Sequence, residues 1–161
     1  MNKEEFEELK KDAEKGCPKA QCKLGCYLHH GEGVEKNLEK AVEWWREAAE
    51  QGDVTAQYNL GVCYENGWGV EKDLKQAVKW WTKAAEQGHA DMQYNLGVMY
   101  HNGQGVAKNY KQAYMWFNIA STNGNEDASK NRDILEKRMT ASQISKAQEL
   151  SEEWLSKHSK K

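Results

Sequence analysis

Four residues that can do chemistry follow one another closely near the start of the chain: Cys22, Cys26, His29 and His30. Spacings of four, then three or four, place both thiols and one imidazole on a single helix face. Three such ligands on one helix can hold zinc. No second segment supplies a fourth ligand, so no metal and no cofactor is expected. Gly-x-Gly recurs at Gly31/Gly33, Gly67/Gly69 and Gly103/Gly105. Glycines of this kind can cradle phosphate, but no strand precedes them and no Gly-Lys-Ser/Thr follows. Asn59 and Asn95 offer a different chemistry. A carboxamide donates and accepts at once, and a ladder of them can pair with the backbone of an extended peptide. Trp68 completes the set, because an exposed aromatic is the side chain that most often anchors an interface.

The elements that must position these residues are repeated. Ala20–Thr55, Ala56–Asp91 and Met92–Asp127 align without a gap at a period of 36 residues. A fixed period of this size specifies a stack of identical supersecondary units. In the middle copy Ala56, Leu60, Gly61 and Tyr64 form one stripe at helical spacing, which predicts a helix from about Thr55 to Asn66. Gly25, Gly61 and Gly97 recur inside that helix, where glycine costs about 0.8–1.0 kcal/mol relative to alanine. Their recurrence predicts a close approach by a neighbouring helix backbone. Asn37, Asp73 and Asn109 are N-caps for a second helix, with Gln76 and Gln112 placed to complete capping boxes and Lys40 unable to. Its stripe is Ala41, Trp44, Trp45, Ala48, then Ala77, Trp80, Trp81, Ala84, then Ala113, Trp116, Phe117, Ala120. Gly52, Gly88 and Gly124 close these helices.

The flanks read as caps. Glu4–Lys15 is helical with Phe6, Leu9 and Ala13 on one face, and Gly16 stands one period before Gly52. A half-unit at 3–16 and closing helices over 128–157 follow, with Thr140 capping a last helix whose face is Ile144, Ala147, Leu150, Trp154 and Leu155. The tail 156–161 is expected to fray. The whole of 1–161 is expected to be one solenoid domain.

Composition narrows function by exclusion. A net charge of -2 with interspersed Lys and Glu points neither to nucleic acid nor to an anionic membrane. No window is apolar enough to cross a bilayer. The N-terminus has no apolar run, so the expected location is cytoplasmic if the chain is the complete gene product, and periplasmic or secreted if a signal peptide was removed. Cys17, Cys22, Cys26 and Cys63 contain no CxxC pair. Cys22, Cys26 and Cys63 fill phases that other copies give to Tyr58, Val62 and Met99, so buried free thiols are expected.

The pattern A-x-x-x-L-G-x-x-Y-x-x-G-x-G-V, followed by a cap and K/Q-A-x-x-W-W/F-x-x-A-A-x-x-G, resembles the Sel1-like repeat, a longer relative of the tetratricopeptide repeat. The resemblance covers 20–127 closely. Copy one departs with Leu28 for Tyr64 and Tyr100, and copy three with Met92 for the opening alanine. The resemblance implies an all-α, right-handed α-solenoid of antiparallel helix pairs, of bacterial type, that serves as a non-enzymatic adaptor or scaffold. It implies a protein or peptide partner on the concave face lined by first helices. The residues there outside the packing stripe are Lys23, Tyr27, Asn59, Cys63, Glu65, Asn95, Met99 and His101. Together with Trp68 they form the expected binding set. The alternative is a structural module acting by self-association. Cysteine-rich relatives credited with β-lactamase activity make a hydrolase the remote alternative, but the chain has no Ser-x-x-Lys and no Gly-x-Ser-x-Gly.

Overall fold

The structure, a computed structural model, describes residues 2–159. Every regular element among them is an α-helix: α1 (Lys3–Glu14), α2 (Pro18–His30), α3 (Leu38–Glu50), α4 (Val54–Asn66), α5 (Leu74–Glu86), α6 (Ala90–Asn102), α7 (Tyr110–Thr122), α8 (Glu126–Glu136) and α9 (Ala141–His158). The pairs α2/α3, α4/α5 and α6/α7 are each built of two 13-residue helices. They begin at 18, 54 and 90, one 36-residue period apart. The all-α helix-pair repeat read from the sequence is the fold. The chain divides into two compact units, Met1–Trp80 and Trp81–Lys161, the division falling inside α5.

In the first unit α1 lays Phe6 and Leu9 against Ala13, Ala20 and Leu24. Beyond it, Trp45 lies in a core of alanines: Ala41, Ala48, Ala49 and Ala56, with Leu60. Small residues leave room for the indole, which is how a helix surface at close-packed density takes a large ring. The Trp45 ring sits over Gly25, where a Cβ would lie 2.6 Å from Nε1. Its indole N–H donates to the Cys22 carbonyl at 3.1 Å. In the second unit Phe117 occupies the same phase, and a Cβ on Gly97 would lie 2.5 Å from the ring. The close approach expected at these glycines is real. What approaches, however, is the aromatic ring of the second helix and not its backbone. Backbone contact occurs instead at Gly69, where a Cβ would collide with the Leu38 carbonyl.

A polar brace accompanies this packing. Gln21, Gln57 and Gln93 are buried in phase. Each donates its Nε2 to a carbonyl eight residues earlier: Ala13 at 3.1 Å, Ala49 at 3.1 Å and Ala85 at 3.0 Å. Those carbonyls belong to the last turn of the preceding helix, where four carbonyls have no helical partner. Each of these carbonyls also accepts a turn N–H, from Gly16, Gly52 and Gly88 respectively, so the glutamine adds a second, side-chain bond that ties its helix to the end of the one before.

The second-helix caps form at Asn37, Asp73 and Asn109, which accept from Lys40, Gln76 and Gln112 backbone N–H groups at 2.9, 3.2 and 3.1 Å. Gln112 does not return a bond to the Asn109 amide, so the expected box stays half-made there. The cause is competition: the Asn109 N–H already donates to the Tyr100 carbonyl at 2.9 Å. Full boxes form at Asn2/Glu5 and Thr140/Gln143.

The closing segment of the second unit packs α8 and α9 on α7, with Ala128, Leu135 and Ala147 joining Ala113, Tyr114, Phe117 and Ala120. The frayed tail expected from 156 onward is corrected in part. Helix α9 continues to His158, whose ring stacks on Trp154 at 3.8 Å, while Lys157 pairs with Glu153 at 2.7 Å. Lys160 and Lys161, also read as frayed, lie outside the described residues.

Candidate functional site

In the first unit the helical register of α2 and α4 decides which expected binding residues reach the surface. Lys23 is exposed and holds its ammonium 5.9 Å from the centre of the half-buried Tyr27 ring. Glu65 is exposed. Asn59 is half-buried, and its Nδ2 donates to Cys26 Sγ at 3.8 Å. Cys63 is corrected: it is 2% exposed, in the core with Trp45 and Leu60, and burial pushes its thiol up to about 11. Met99 of the second unit is corrected likewise at 5%. Both stand where α4 and α6 turn inward, so neither offers surface to a partner.

Trp68, on the turn after α4, is 42% exposed. Its underside rests on His29, ring centres 5.5 Å apart, and the other side of His29 meets Trp45 at 5.4 Å. Both His29 ring nitrogens are buried without a hydrogen-bond partner. Burial, then the charges of His30 and Lys36, hold its pKa below the ordinary 6.5, so the imidazole is neutral at neutral pH. The aromatic neighbours explain why His29 does not join the cysteines. Among the described residues no three His, Cys, Asp or Glu side chains are placed to hold a metal ion. All four cysteines are free: Cys22 and Cys63 are buried as expected, Cys26 is only half-buried, and Cys17, outside the repeats, is exposed. Cys22 and Cys26 instead share a hydrogen bond, which raises the Cys22 thiol and lowers that of Cys26.

The second unit places a different group at the surface. His101 stacks on Tyr110 with centres 5.5 Å apart and planes 19° apart. Lys108 sets its ammonium 5.0 Å from the same ring. The cationic side chains of Lys108 and then Arg138 beside the phenol hold the Tyr110 pKa below its usual value. Beside this group runs a groove of about 240 Å³ lined by Tyr94, Val98, His101, Asn102, Phe117, Asn131 and Ile134. Asn131 Nδ2 donates to the Tyr94 hydroxyl at 3.0 Å, which fixes one wall. Asn95 is half-buried on the same helix as Tyr94. Sequence reasoning selected His101 but missed Tyr110, Lys108, Arg138 and Ile134. One signal was available: Tyr110 stands at the phase of Leu38 and Leu74, an aromatic put where the repeat needs only an aliphatic.

Pairs of thirteen-residue helices recurring in phase, with aromatic and polar residues outside the packing stripe, define a helical-repeat protein. The Sel1 repeat family model matches residues 18–53, 54–89 and 90–125, and the chain belongs to that family. Proteins of this family are typically protein-interaction scaffolds. Among solved structures, the chain is similar to c5321, a protective antigen of uropathogenic Escherichia coli strains with an SLR fold. The identity is 43% and the TM-score 0.82, over 98% of this chain and 34% of that one. It is similar to a Sel1 repeat protein from Oxalobacter formigenes at 43% identity and TM-score 0.69, covering 74% of this chain and 47% of the other. Helicobacter pylori cysteine rich protein B matches at 32% identity and TM-score 0.59, over 78% of this chain and 95% of that one. The chain thus spans about a third of the length of the first relative and about half of the second. No match was found among curated proteins. No described helix is long and apolar enough to cross a membrane.

Proposed function

We propose that this chain is a protein- or peptide-binding adaptor that engages its partner through exposed residues of the first helices and of the turns that follow them. The observation that carries this is Trp68. Copies one and three place Glu32 and Gln104 at its phase, so the repeat does not require an indole there. Yet Trp68 keeps 42% of its surface in water, with Glu65 exposed one turn back. A large, half-exposed ring held by a second aromatic beneath it has little rotamer freedom left to lose, which is what an interface anchor requires. The half-buried amides of Asn59 and Asn95 supply polar contacts of the kind an extended segment uses.

Affinity capture from an extract of the source cell tests this. Trp68→Ala and the double variant Asn59→Ala/Asn95→Ala are expected to lose partners that the native chain retains, while Trp68→Phe keeps them. Recovery of the same partners by all four proteins would defeat the proposal. Circular dichroism melting of each variant separates lost binding from lost fold.

A further inference from the structure

The second unit carries two adjoining surfaces of opposite character. One is the groove between α6 and α8, whose apolar walls are Tyr94, Val98, Phe117 and Ile134. Ile134 is 56% exposed, the most exposed large aliphatic side chain among the described residues, and no packing need accounts for it. The other is the cationic cluster around Tyr110. Lys108 lies over the ring and Lys111 stands one position beyond it. Arg138 stands exposed in the turn after α8 and brings its positive charge to the neighbourhood of the phenol. His101 joins the two surfaces, because it lines the groove and stacks on Tyr110. Ile134 and Arg138 are four residues apart, so one stretch of chain delivers an apolar side chain to one end and a guanidinium to the other.

The charge at the cationic end is uncompensated. Lys108, Lys111 and Arg138 enter none of the ion pairs formed among the described residues, whereas Arg132 on the same segment pairs with Asp133 at 3.2 Å. The open concavity at this end is lined by Lys108, Asn109, Tyr110, Lys111 and Gln143, without a carboxylate. In a chain whose net charge is -2, a local excess of this kind is a choice of position, not of composition. It raises the local concentration of anionic groups and orients them as they arrive.

We infer that the α6/α8 face of the second unit docks an acidic peptide segment carrying one or two large apolar side chains: the apolar residues enter the groove beside Ile134 and Phe117, and the carboxylates meet Lys108, Lys111 and Arg138. The inference rests on the adaptor reading and names the chemistry of one partner segment. His101 and Tyr110, stacked between the two ends, set the spacing between the anchor and the charge.

Fluorescence anisotropy with the full chain tests it. The probes are end-blocked, fluorescein-labelled hexapeptides: a Leu-Phe pair flanked by two glutamates on each side, the same pair flanked by lysines, and a Ser-Ser pair flanked by glutamates. The first is expected to bind at least about tenfold more tightly than the other two, a difference of about 1.4 kcal/mol. Lys108→Glu/Lys111→Glu and Arg138→Glu are expected to remove that preference, Lys108→Arg/Lys111→Arg to keep it, and Ile134→Ser to weaken binding several-fold. Added salt is expected to weaken binding of the first peptide. All these positions are exposed, and melting curves confirm the fold of each variant. Equal binding of the three peptides, or indifference to both charge reversals, would overturn the inference. So would displacement by inorganic phosphate together with indifference to Ile134→Ser, which would mark a simple anion site. If partner capture still depends on Trp68 in any of those cases, the adaptor reading stands and only this assignment falls. Loss of the peptide preference and of Trp68-dependent capture together would sink both.

Discussion

Gly25 lies under an indole, and that contact sets what the position tolerates. A methyl group there would sit 2.6 Å from Trp45 Nε1, so the ring would have to move and its bond to the Cys22 carbonyl would break. Overpacking a filled core costs about 1–3 kcal/mol, and the lost buried hydrogen bond adds to it. Gly25→Ala is therefore expected to lower stability in urea denaturation, despite alanine's better helix propensity. Pairing it with Trp45→Leu should recover part of the loss, which a purely backbone effect would not allow. His29 makes a second case at this scale. Burial holds its folded pKa below the 6.5 of an ordinary histidine, so on acidification the unfolded chain takes up its proton first. The stability this residue contributes is complete above that ordinary value, falls as pH drops through the window between the two pKa values, and levels off below the folded one. His29→Phe removes the titration and keeps a ring between Trp45 and Trp68. Its stability is expected to fall less than that of the native chain between neutral and mildly acidic pH. An equal fall in both proteins would assign the pH dependence to other groups.

Among the elements, the in-phase glutamines do what no apolar residue could. Gln93 donates to the Ala85 carbonyl and accepts from Asn123 Nδ2 at 2.9 Å, so one buried side chain ties the end of α5 to the end of α7. Replacing it with leucine keeps the volume but removes two hydrogen bonds, leaving the Ala85 carbonyl with only the Gly88 N–H at 3.0 Å and Asn123 Nδ2 without its partner, at about 0.5–1.5 kcal/mol for each lost bond. Gln93→Leu is expected to destabilise the chain by about that much in urea unfolding, whereas Gln93→Glu should be worse, since a carboxylate cannot donate to Ala85. A neutral or stabilising Gln93→Leu would show that the brace is incidental. The glutamines were not recognised in the sequence because each directly follows a stripe residue and reads as the polar edge of an amphipathic helix. The helix pairs themselves were legible to within a residue or two, because Gly, Trp and Ala recur at fixed phase. The half-made capping box at Asn109 was not, since the competing Tyr100 carbonyl reaches the cap only in the folded pair. The candidate site was less legible still. Lys23, Glu65, Trp68 and His101 could be separated from the stripe, but Cys63 and Met99 were misplaced by a small rotation of the helix. The Tyr110 cluster draws on α6, α7 and the turn after α8, a convergence that no single repeat displays.

For the molecule as a whole, the repeat creates a problem that its ends must solve: each helix pair leaves an apolar face for a successor, and the last pair has none. Helix α9 supplies the substitute. It breaks the period, so nothing in it matches the repeat, but it sets Ala147 fully buried against α7 and Trp154 edge-on to Trp116 at 5.7 Å. Ser151, also buried, satisfies its hydroxyl on the Ala147 carbonyl at 2.8 Å and so does not open a polar gap in that seam. Gln148 adds a bond to the Tyr114 hydroxyl at 3.3 Å, and the same phenol donates to Glu136 at 2.8 Å, which locks α7, α8 and α9 together. The outer face of α9 is polar, with Glu149, Glu152 and Glu153 exposed. Removing residues 140–161 would uncover Trp116, Tyr114 and their neighbours as one contiguous apolar patch, and patches of that kind drive association. Light scattering of the truncated chain is expected to show self-association that grows with concentration, where the native chain shows little. Ala147→Asp isolates the same seam without shortening the chain: an unpaired carboxylate has no partner there, and a loss of about 3–5 kcal/mol is expected. A truncated protein that stays monomeric and as stable as the native one would show that the stack is closed by something other than α9.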